Sequence, residues 1–133
     1  NRTYPTPRPV LLKIAPDMTD GQLDDVVAIV REVGVDGVIA TNTTIERSGL
    51  TTDTEPLGAG GISGAPVRDR STEVIKYLHE RSGGAFPIIG VGGIDNAAAA
   101  QEKLDAGATL VQVYSGLVYE GPGLVKRIVR GLR

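Results

Sequence analysis

One lysine stands inside the most apolar run near the start of the chain, Val10-Leu11-Leu12-Lys13-Ile14. An ammonium buried without a partner is costly, so something anionic or electron-rich should face it. A core ion pair, or a tip that reaches water at the strand end, would meet the same need. Thr41-Asn42-Thr43-Thr44 follows a second apolar run. Asn offers a donor and an acceptor together, which suits a ligand bearing carbonyl and amide groups. The same side chains also close turns on their own backbone, and both readings stand. Gly60-Gly61-Ile62-Ser63-Gly64 and Gly90-Val91-Gly92-Gly93 let a ligand approach the main chain closely. The first is a binding loop, a lid or a plain flexible loop; the second is the better place for phosphate oxygens to meet backbone N–H groups. Tyr114-Ser115 leaves a further apolar run and offers either a hydroxyl to phosphate or a Tyr buried against backbone. No nucleophile–base pair is visible: Ser63, Ser71 and Ser115 lie in no hydrolase motif, and His79, beside Glu80 and Arg81, reads as a surface residue. The proton-transfer group, if the protein uses one, is expected outside this segment.

Composition limits what these residues can belong to. A chain of 133 residues is enough for one domain and too short for two. With 41% hydrophobic and 23% charged residues it has the ordinary globular balance, which argues against disorder. A net charge of −2 argues against a nucleic-acid module, and 4% aromatics leave little for base stacking. The absence of Cys excludes disulfides, thiolate metal sites and a Cys nucleophile in this segment, and the single His excludes a multi-His metal centre. No run approaches the ~18 apolar residues of a membrane helix, and no signal-peptide pattern is read at the start. The chain opens Asn-Arg-Thr-Tyr and its only Met is Met18, so a piece of a longer polypeptide is the expectation.

The elements that must position these residues repeat one plan four times. Pro5, Pro7 and Pro9 make residues 1–9 an extended linker. Val10–Ile14 reads as a strand buried on both faces. Thr19 and Gln22 form a capping box, Leu23, Val26, Val27, Val30 and Val33 recur at helical spacing, and Gly34 stops the helix. Gly37–Ala40 is the second strand, a long loop runs from Thr41 to about Val67, and a helix follows from about Ser71 to Arg81. Pro87–Val91 is the third strand, Gly92-Gly93 a turn, and Asp95 the N-cap of a helix through Leu104. Thr109–Val113 is the fourth strand, and Gly121-Pro122 starts a helix with Leu124, Val125, Ile128, Val129 and Leu132 on one face. Four βα units mean a parallel sheet. A small doubly wound sheet and half of a (β/α)₈ barrel, usually ~250 residues, both fit. Barrels often bind phosphate on the loops after strands seven and eight, which in a second half are Gly92-Gly93 and Tyr114-Ser115-Gly116. The first strand ends in Ala-Pro-Asp and lacks the G-x-G-x-x-G of a dinucleotide fold.

Five stretches in order carry a resemblance: Leu12-Lys13-Ile14-Ala15-Pro16-Asp17, Gly37-Val38-Ile39-Ala40-Thr41-Asn42-Thr43-Thr44, Gly60-Gly61-Ile62-Ser63-Gly64, Pro87-Ile88-Ile89-Gly90-Val91-Gly92-Gly93-Ile94 and Leu110-Val111-Gln112-Val113-Tyr114-Ser115-Gly116-Leu117. From about Val10 onward the chain resembles the C-terminal half of the quinone-dependent (class 2) dihydroorotate dehydrogenases, with Ile62 where the family has Leu. The resemblance implies the C-terminal half of a TIM (β/α)₈ barrel over residues 10–133, an α/β fold that binds FMN and oxidises dihydroorotate to orotate in de novo pyrimidine (UMP) biosynthesis, with electrons passed to quinone. By the same carry-over Lys13 lies at the flavin pyrimidine edge, where its charge favours the anionic reduced flavin. Thr41 contacts FMN, and Asn42 and Thr43 hydrogen-bond orotate. Gly64, Gly93, Tyr114 and Ser115 surround the ribityl phosphate, with Ser63, Val91 and Gly92 also on the cofactor. The catalytic base of class 2 is a Ser from the first half of the barrel, so no catalytic residue is expected in this chain and the isolated chain should be inactive.

Further expectations follow from the missing half. Four parallel strands leave two unpaired edges and an inner face without opposing side chains, so the N-terminal half-barrel or another copy of the chain should close it. The class implies quinone contact through the N-terminal part and a peripheral place on the cytoplasmic face of the membrane. Competing readings are a class 1 or other FMN-barrel oxidoreductase, a non-redox phosphate-binding barrel of isomerase or synthase type, and a fragment whose only property is folding.

Overall fold

A computed structural model describes residues 7–132. Of the expected linker, residues 1–6 lie outside the described residues, and Pro7–Pro9 carry no regular structure. Four short strands, β1 (Leu11–Ile14), β2 (Gly37–Ala40), β3 (Ile88–Val91) and β4 (Leu110–Gln112), form one parallel sheet in the order β1-β2-β3-β4. Helices α1 (Asp20–Val33), α2 (Arg68–Ser82), α3 (Ala97–Asp105), α4 (Ser115–Glu120) and α5 (Gly123–Gly131) follow the strands in turn, the last two both after β4. Sequential order with every pair parallel is the pattern of consecutive βα units in a barrel wall.

Register shows which side chains share a face. The pairings Lys13–Ile39, Ile39–Ile89 and Ile89–Leu110 make one row across all four strands. Because side chains alternate along a strand, the neighbouring rows, Leu12–Val38–Ile88 and Ile14–Ala40–Gly90–Val111, point the other way, toward the helices. The helix-covered rows are the core: Val38, Ala40 and Ile88 are buried with Leu23, Val26, Val27 and Val30 of α1 and Val74, Ile75 and Leu78 of α2. A smaller cluster joins Ile94, Ala100, Leu124 and Ile128 at the β4 end. The other face is open. Leu110 is 60% exposed, and Lys13 is exposed as well.

Two expectations are therefore corrected. β1 is not buried on both faces, and Lys13 is not a buried ammonium in this chain, because β1 is an edge strand whose inner side meets no opposing strand. The capping box at Thr19 and Gln22 and the stop at Gly34 are as the sequence predicts: the Thr19 hydroxyl accepts from Gln22 N, and Gln22 Oε1 accepts from Thr19 N at 2.9 Å. Helix α2 begins three residues earlier than predicted, after a 3-10 turn at Ala65–Val67. The N-cap of α3 is Asn96, not Asp95: Asn96 is extended and its Oδ1 accepts from Ala99 N at 2.9 Å, while Asp95 pairs with Arg68. The last unit holds an extra short helix, α4, before Gly121, and α5 starts just after Pro122. Val33, Val125 and Val129, expected inside, are exposed, since the α1 and α5 stripes are narrower than their apolar spacing suggested.

Candidate active site

The loops at the carboxyl ends of the strands meet at one mouth. Backbone hydrogen bonds pull them together: Thr41 N donates to Val91 O at 2.8 Å and Asn42 N to Ile14 O at 2.7 Å, so the β2 exit is tied to the ends of β3 and β1. The peptide joining Ala40 to Thr41 is cis. The long loop folds back through an antiparallel bridge between Thr44 and Ile62, with both N–H···O bonds formed. Arg47 gathers its middle, donating to Gly58 O at 3.0 Å and Gly60 O at 2.9 Å. Asp17 anchors its start, accepting from the Thr44 hydroxyl and from Ile45 N. Arg70 of α2 completes the frame through Pro16 O at 3.0 Å and Met18 O at 2.8 Å.

Inside this frame lies a cleft of about 220 Å³. Lys13, Thr41, Asn42, Thr43, Ser63, Gly64, Val91, Gly92, Gly93, Tyr114 and Ser115 all line it. Every residue named as a site residue from the sequence thus reaches one cavity, although they come from four different strand exits and from the long loop. Gly116, read from the sequence as part of the Tyr114-Ser115-Gly116 phosphate loop, lines it too, as does Val67, which was not named and whose signal was its place three residues past Gly64. Lys13 is the one charged group of the lining, and no carboxylate or imidazole is part of it.

The polar groups are partly committed. Asn42 Oδ1 accepts from Thr43 N at 3.0 Å, which uses the carbonyl side of the amide only. The local turn anticipated as an alternative forms at Thr44, whose Oγ1 accepts from Glu46 N at 3.0 Å. The Thr41 side chain is buried and donates to Asn42 O at 3.0 Å. Ser63 Oγ and Ser115 Oγ are 2.7 Å apart, which joins the long loop to the β4 exit across the cleft. Tyr114 is 75% exposed, so the alternative of a buried Tyr held on backbone is not what forms. Ser71 is buried and donates to Val91 O at 2.6 Å, a structural rather than chemical use.

The glycines shape the rest. Gly64 and Gly93 have φ of 81° and 67°, a region costly for other residues. A Cβ at Gly64 would sit 3.6 Å from that of Ser115, filling the cleft where the two loops approach. Among the described residues no protein acceptor takes the N–H of Gly64 or Gly93, and Gly93 is buried. Unclaimed N–H groups, small residues, hydroxyls and one cation, with no acid, fit a phosphate-bearing ligand. Val67 and Val91 supply an apolar wall of the kind a ring would pack on.

A larger hollow of about 540 Å³ lies beside the long loop, lined by Asp17, Glu46 and Arg70 among others. Its arginine is occupied by backbone carbonyls and Glu73, and none of the glycine turns reaches it. Size therefore does not mark the site; convergence of the strand exits does.

Known proteins share this sequence pattern and fold. The sequence matches the family profile of dihydroorotate dehydrogenase over residues 4–133. It is 58% identical over 128 residues to the dihydroorotate dehydrogenase (quinone) of Christiangramia forsetii, covering 96% of this chain and 37% of that protein. It is 54% identical over 127 residues to the protein of the same name from an Arthrobacter species, covering 93% of this chain and 36% of the relative. The chain thus spans just over a third of the length of these curated relatives. The crystal structure of a ligand-free dihydroorotate dehydrogenase from Eimeria tenella superposes with a TM-score of 0.86 at 36% identity, over 92% of this chain and 34% of that one. Sequence and fold agree along nearly the whole length, and the chain belongs to the dihydroorotate dehydrogenase family.

Proposed function

We propose that this chain supplies part of the flavin and orotate sites of a quinone-dependent dihydroorotate dehydrogenase, acting in de novo pyrimidine biosynthesis. One observation carries the reading: the strand exits of all four βα units and the long loop converge on a single acid-free cleft that holds one lysine. At about 220 Å³ the cleft is smaller than the ~300–1,000 Å³ of complete small-molecule pockets, as a site with one wall still to be supplied should be.

In this reading Gly64 and Gly93 present backbone N–H groups to the FMN phosphate, with the Ser63 and Ser115 hydroxyls beside them. Val67 and Val91 exclude water from one side of the ring. Lys13 lies at the ring's pyrimidine edge and places positive charge where negative charge develops; preorganised charge of this kind is the largest single contribution in many enzymes. The Asn42 amide N–H and the Thr43 hydroxyl bind and orient orotate. FMN held by these residues would supply the hydride acceptor for C6 of dihydroorotate, with the C5 proton passing to a base. The lining holds no carboxylate or imidazole, and the Ser63 and Ser115 hydroxyls are engaged with each other, which supports a base outside this chain. The base is assigned to a Ser in the remainder of the barrel. That remainder also covers the open inner face and the free edges of β1 and β4, and carries the quinone contact and a peripheral attachment to the cytoplasmic face of the membrane. Among the described residues no helix is long and apolar enough to cross a membrane.

The test is made on the complete protein. It should purify yellow and reduce a dye in a dihydroorotate-dependent way. Lys13→Ala should lower kcat by about 10²–10³-fold, the loss typical of removing one electrostatic stabiliser. A colourless protein that binds a phosphosugar would overturn the reading. The 133 residues alone should show no such dye reduction, and turnover by them would contradict the assignment of the base elsewhere.

A further inference from the structure

Behind the glycine turn two cations stand in series. Lys103 of α3 is fully buried, and its amine donates to Arg68 O at 2.6 Å and to Thr72 Oγ1 at 2.5 Å. Arg68, the first residue of α2, donates in turn from Nε to Gly93 O at 2.7 Å and from Nη2 to Asp95 at 2.7 Å. The turn is cut to fit the Arg68 stem, and the strand before it to fit that of Lys103. A Cβ at Gly93 would lie 2.5 Å from the Arg68 Cβ, and one at Gly90 would lie 3.0 Å from the Lys103 Cβ. Neither cation lines the cleft. A fixed carbonyl fixes its peptide plane, and the Gly93 N–H belongs to the same short turn.

We propose that Arg68 and Lys103 are positioning residues that hold the Gly92-Gly93 turn in its anion-binding form, so that the protein discriminates phosphorylated from unphosphorylated flavin through groups that never touch the ligand. The proposal rests on the FMN reading above. Lys103 fixes the first carbonyl of α2; Arg68, thereby placed, grips the carbonyl of Gly93; Asp95 holds the guanidinium in plane, since a two-pronged Arg contact is geometrically selective. Burial lowers the Lys103 pKa to about 8, with Glu102 opposing the shift and the neighbouring Arg68 adding to it; Asp69, like Glu102, favours the charged form. The amine is thus still mostly protonated at neutral pH and can serve both acceptors.

The experiment titrates the complete apoprotein with FMN and, separately, with riboflavin, following flavin fluorescence. The unaltered protein should bind FMN more tightly than riboflavin; equal affinities would refute the FMN reading itself, independently of the cations. Arg68→Gln should weaken FMN about tenfold or more, the worth of a charge-assisted hydrogen bond, and leave riboflavin within about twofold. Arg68→Lys should not restore discrimination, because an ammonium lacks the fork. Lys103→Met keeps the stem's volume and should reduce discrimination in the same direction. Asp95→Asn, a surface change that spares folding, should also weaken FMN; tighter FMN binding there would show that only net charge matters and overturn the proposal. Equal loss of both flavins in Arg68→Gln or Lys103→Met would overturn it as well, since a damaged fold does not tell a phosphate from a hydroxyl.

Discussion

The two faces of the four-stranded sheet have opposite characters. On the helix side Val38, Ala40 and Ile88 lie at 0–1% exposure beneath α1 and α2. On the other side the row Lys13–Ile39–Ile89–Leu110 is partly or largely open. Both faces are mostly apolar, so hydrophobicity alone does not distinguish them. The helix face is finished within this chain except at the β1 edge, where Leu12 is still 36% exposed, because each βα unit brings a helix to cover the sheet. The inner face needs side chains from the far side of a closed barrel, where residues from different strands interleave in layers. A local unit can complete the first face and cannot complete the second.

The sharpest way to break this contrast is a pair of truncations at neighbouring positions of β3. Ile88→Ala removes a side chain from the finished core and should cost about 2–5 kcal/mol. Ile89→Ala removes the same atoms from the partly buried inner face of the 133-residue chain, where less burial is lost, and should cost about 1–2 kcal/mol. Urea unfolding of the two variants measures both. Equal costs would mean that the inner face is already covered, for example by a second copy. Addition of the remaining barrel should raise the Ile89→Ala cost toward that of Ile88→Ala.

The same contrast explains what could be read from residue order. The βα units, the capping box at Thr19 and the stop at Gly34 are local, and one helix's worth of sequence specifies each. Membership of the cleft was legible for another reason: the residues the resemblance singles out converge there, and Gly64, Gly92 and Gly93 mark close approach of backbone. What stayed hidden depended on partners distant in sequence. The burial of Lys103 was invisible, because its acceptors, Arg68 O and Thr72 Oγ1, lie 35 and 31 residues away. Asp95 looked like a cap because it is acidic and follows a turn, yet its partner is Arg68, and Asn96 alone has the extended backbone that reaches α3. The exposure of Lys13 reflects an edge that pattern reading had filled with an imagined neighbour. The short helix α4 was missed since it buries no side chain, which leaves no periodic signal.

A smaller effect sharpens the contrast from the helix side, where a charge has been closed into the finished region. The Lys103 amine, with its pKa lowered from 10.5 to about 8 chiefly by burial, binds its proton less tightly in the folded chain than in the unfolded one. Below pH 8 both states are charged and the fold bears the full cost of burying that charge. Between about pH 8 and 10.5 the unfolded chain holds more protons, so stability should rise with pH through that window. Lys103→Met should flatten this limb in unfolding curves recorded at successive pH values. A limb that persists in the variant would assign it to another group.

The smallest expected effect lies on the surface seam between α1 and α2, where an exposed ion pair ties the two helices above their shared core. Arg81 grips Asp24 with two hydrogen bonds of 2.7 Å, and the Tyr77 hydroxyl adds a third at 3.1 Å. The bond from Arg81 is the main reason that the Asp24 carboxyl titrates below its ordinary 3.8, with burial opposing it. A carboxylate whose folded pKa is lowered contributes stability above its unfolded value and loses it as pH falls through the folded one. Acid should therefore weaken the seam only below about pH 4, and Asp24→Asn should remove that part of the acid limb while changing neutral stability little, because exposed pairs are worth ~0–1 kcal/mol. Salt provides the control: 1 M NaCl screens an exposed pair but barely touches the buried core. It should shrink the difference between Asp24→Asn and the unaltered chain and leave the gap between Ile88→Ala and Ile89→Ala as it was. If salt moved both gaps alike, the outer layer would depend on surface charge as much as on burial, and the contrast between a finished and an unfinished face would lose its physical basis.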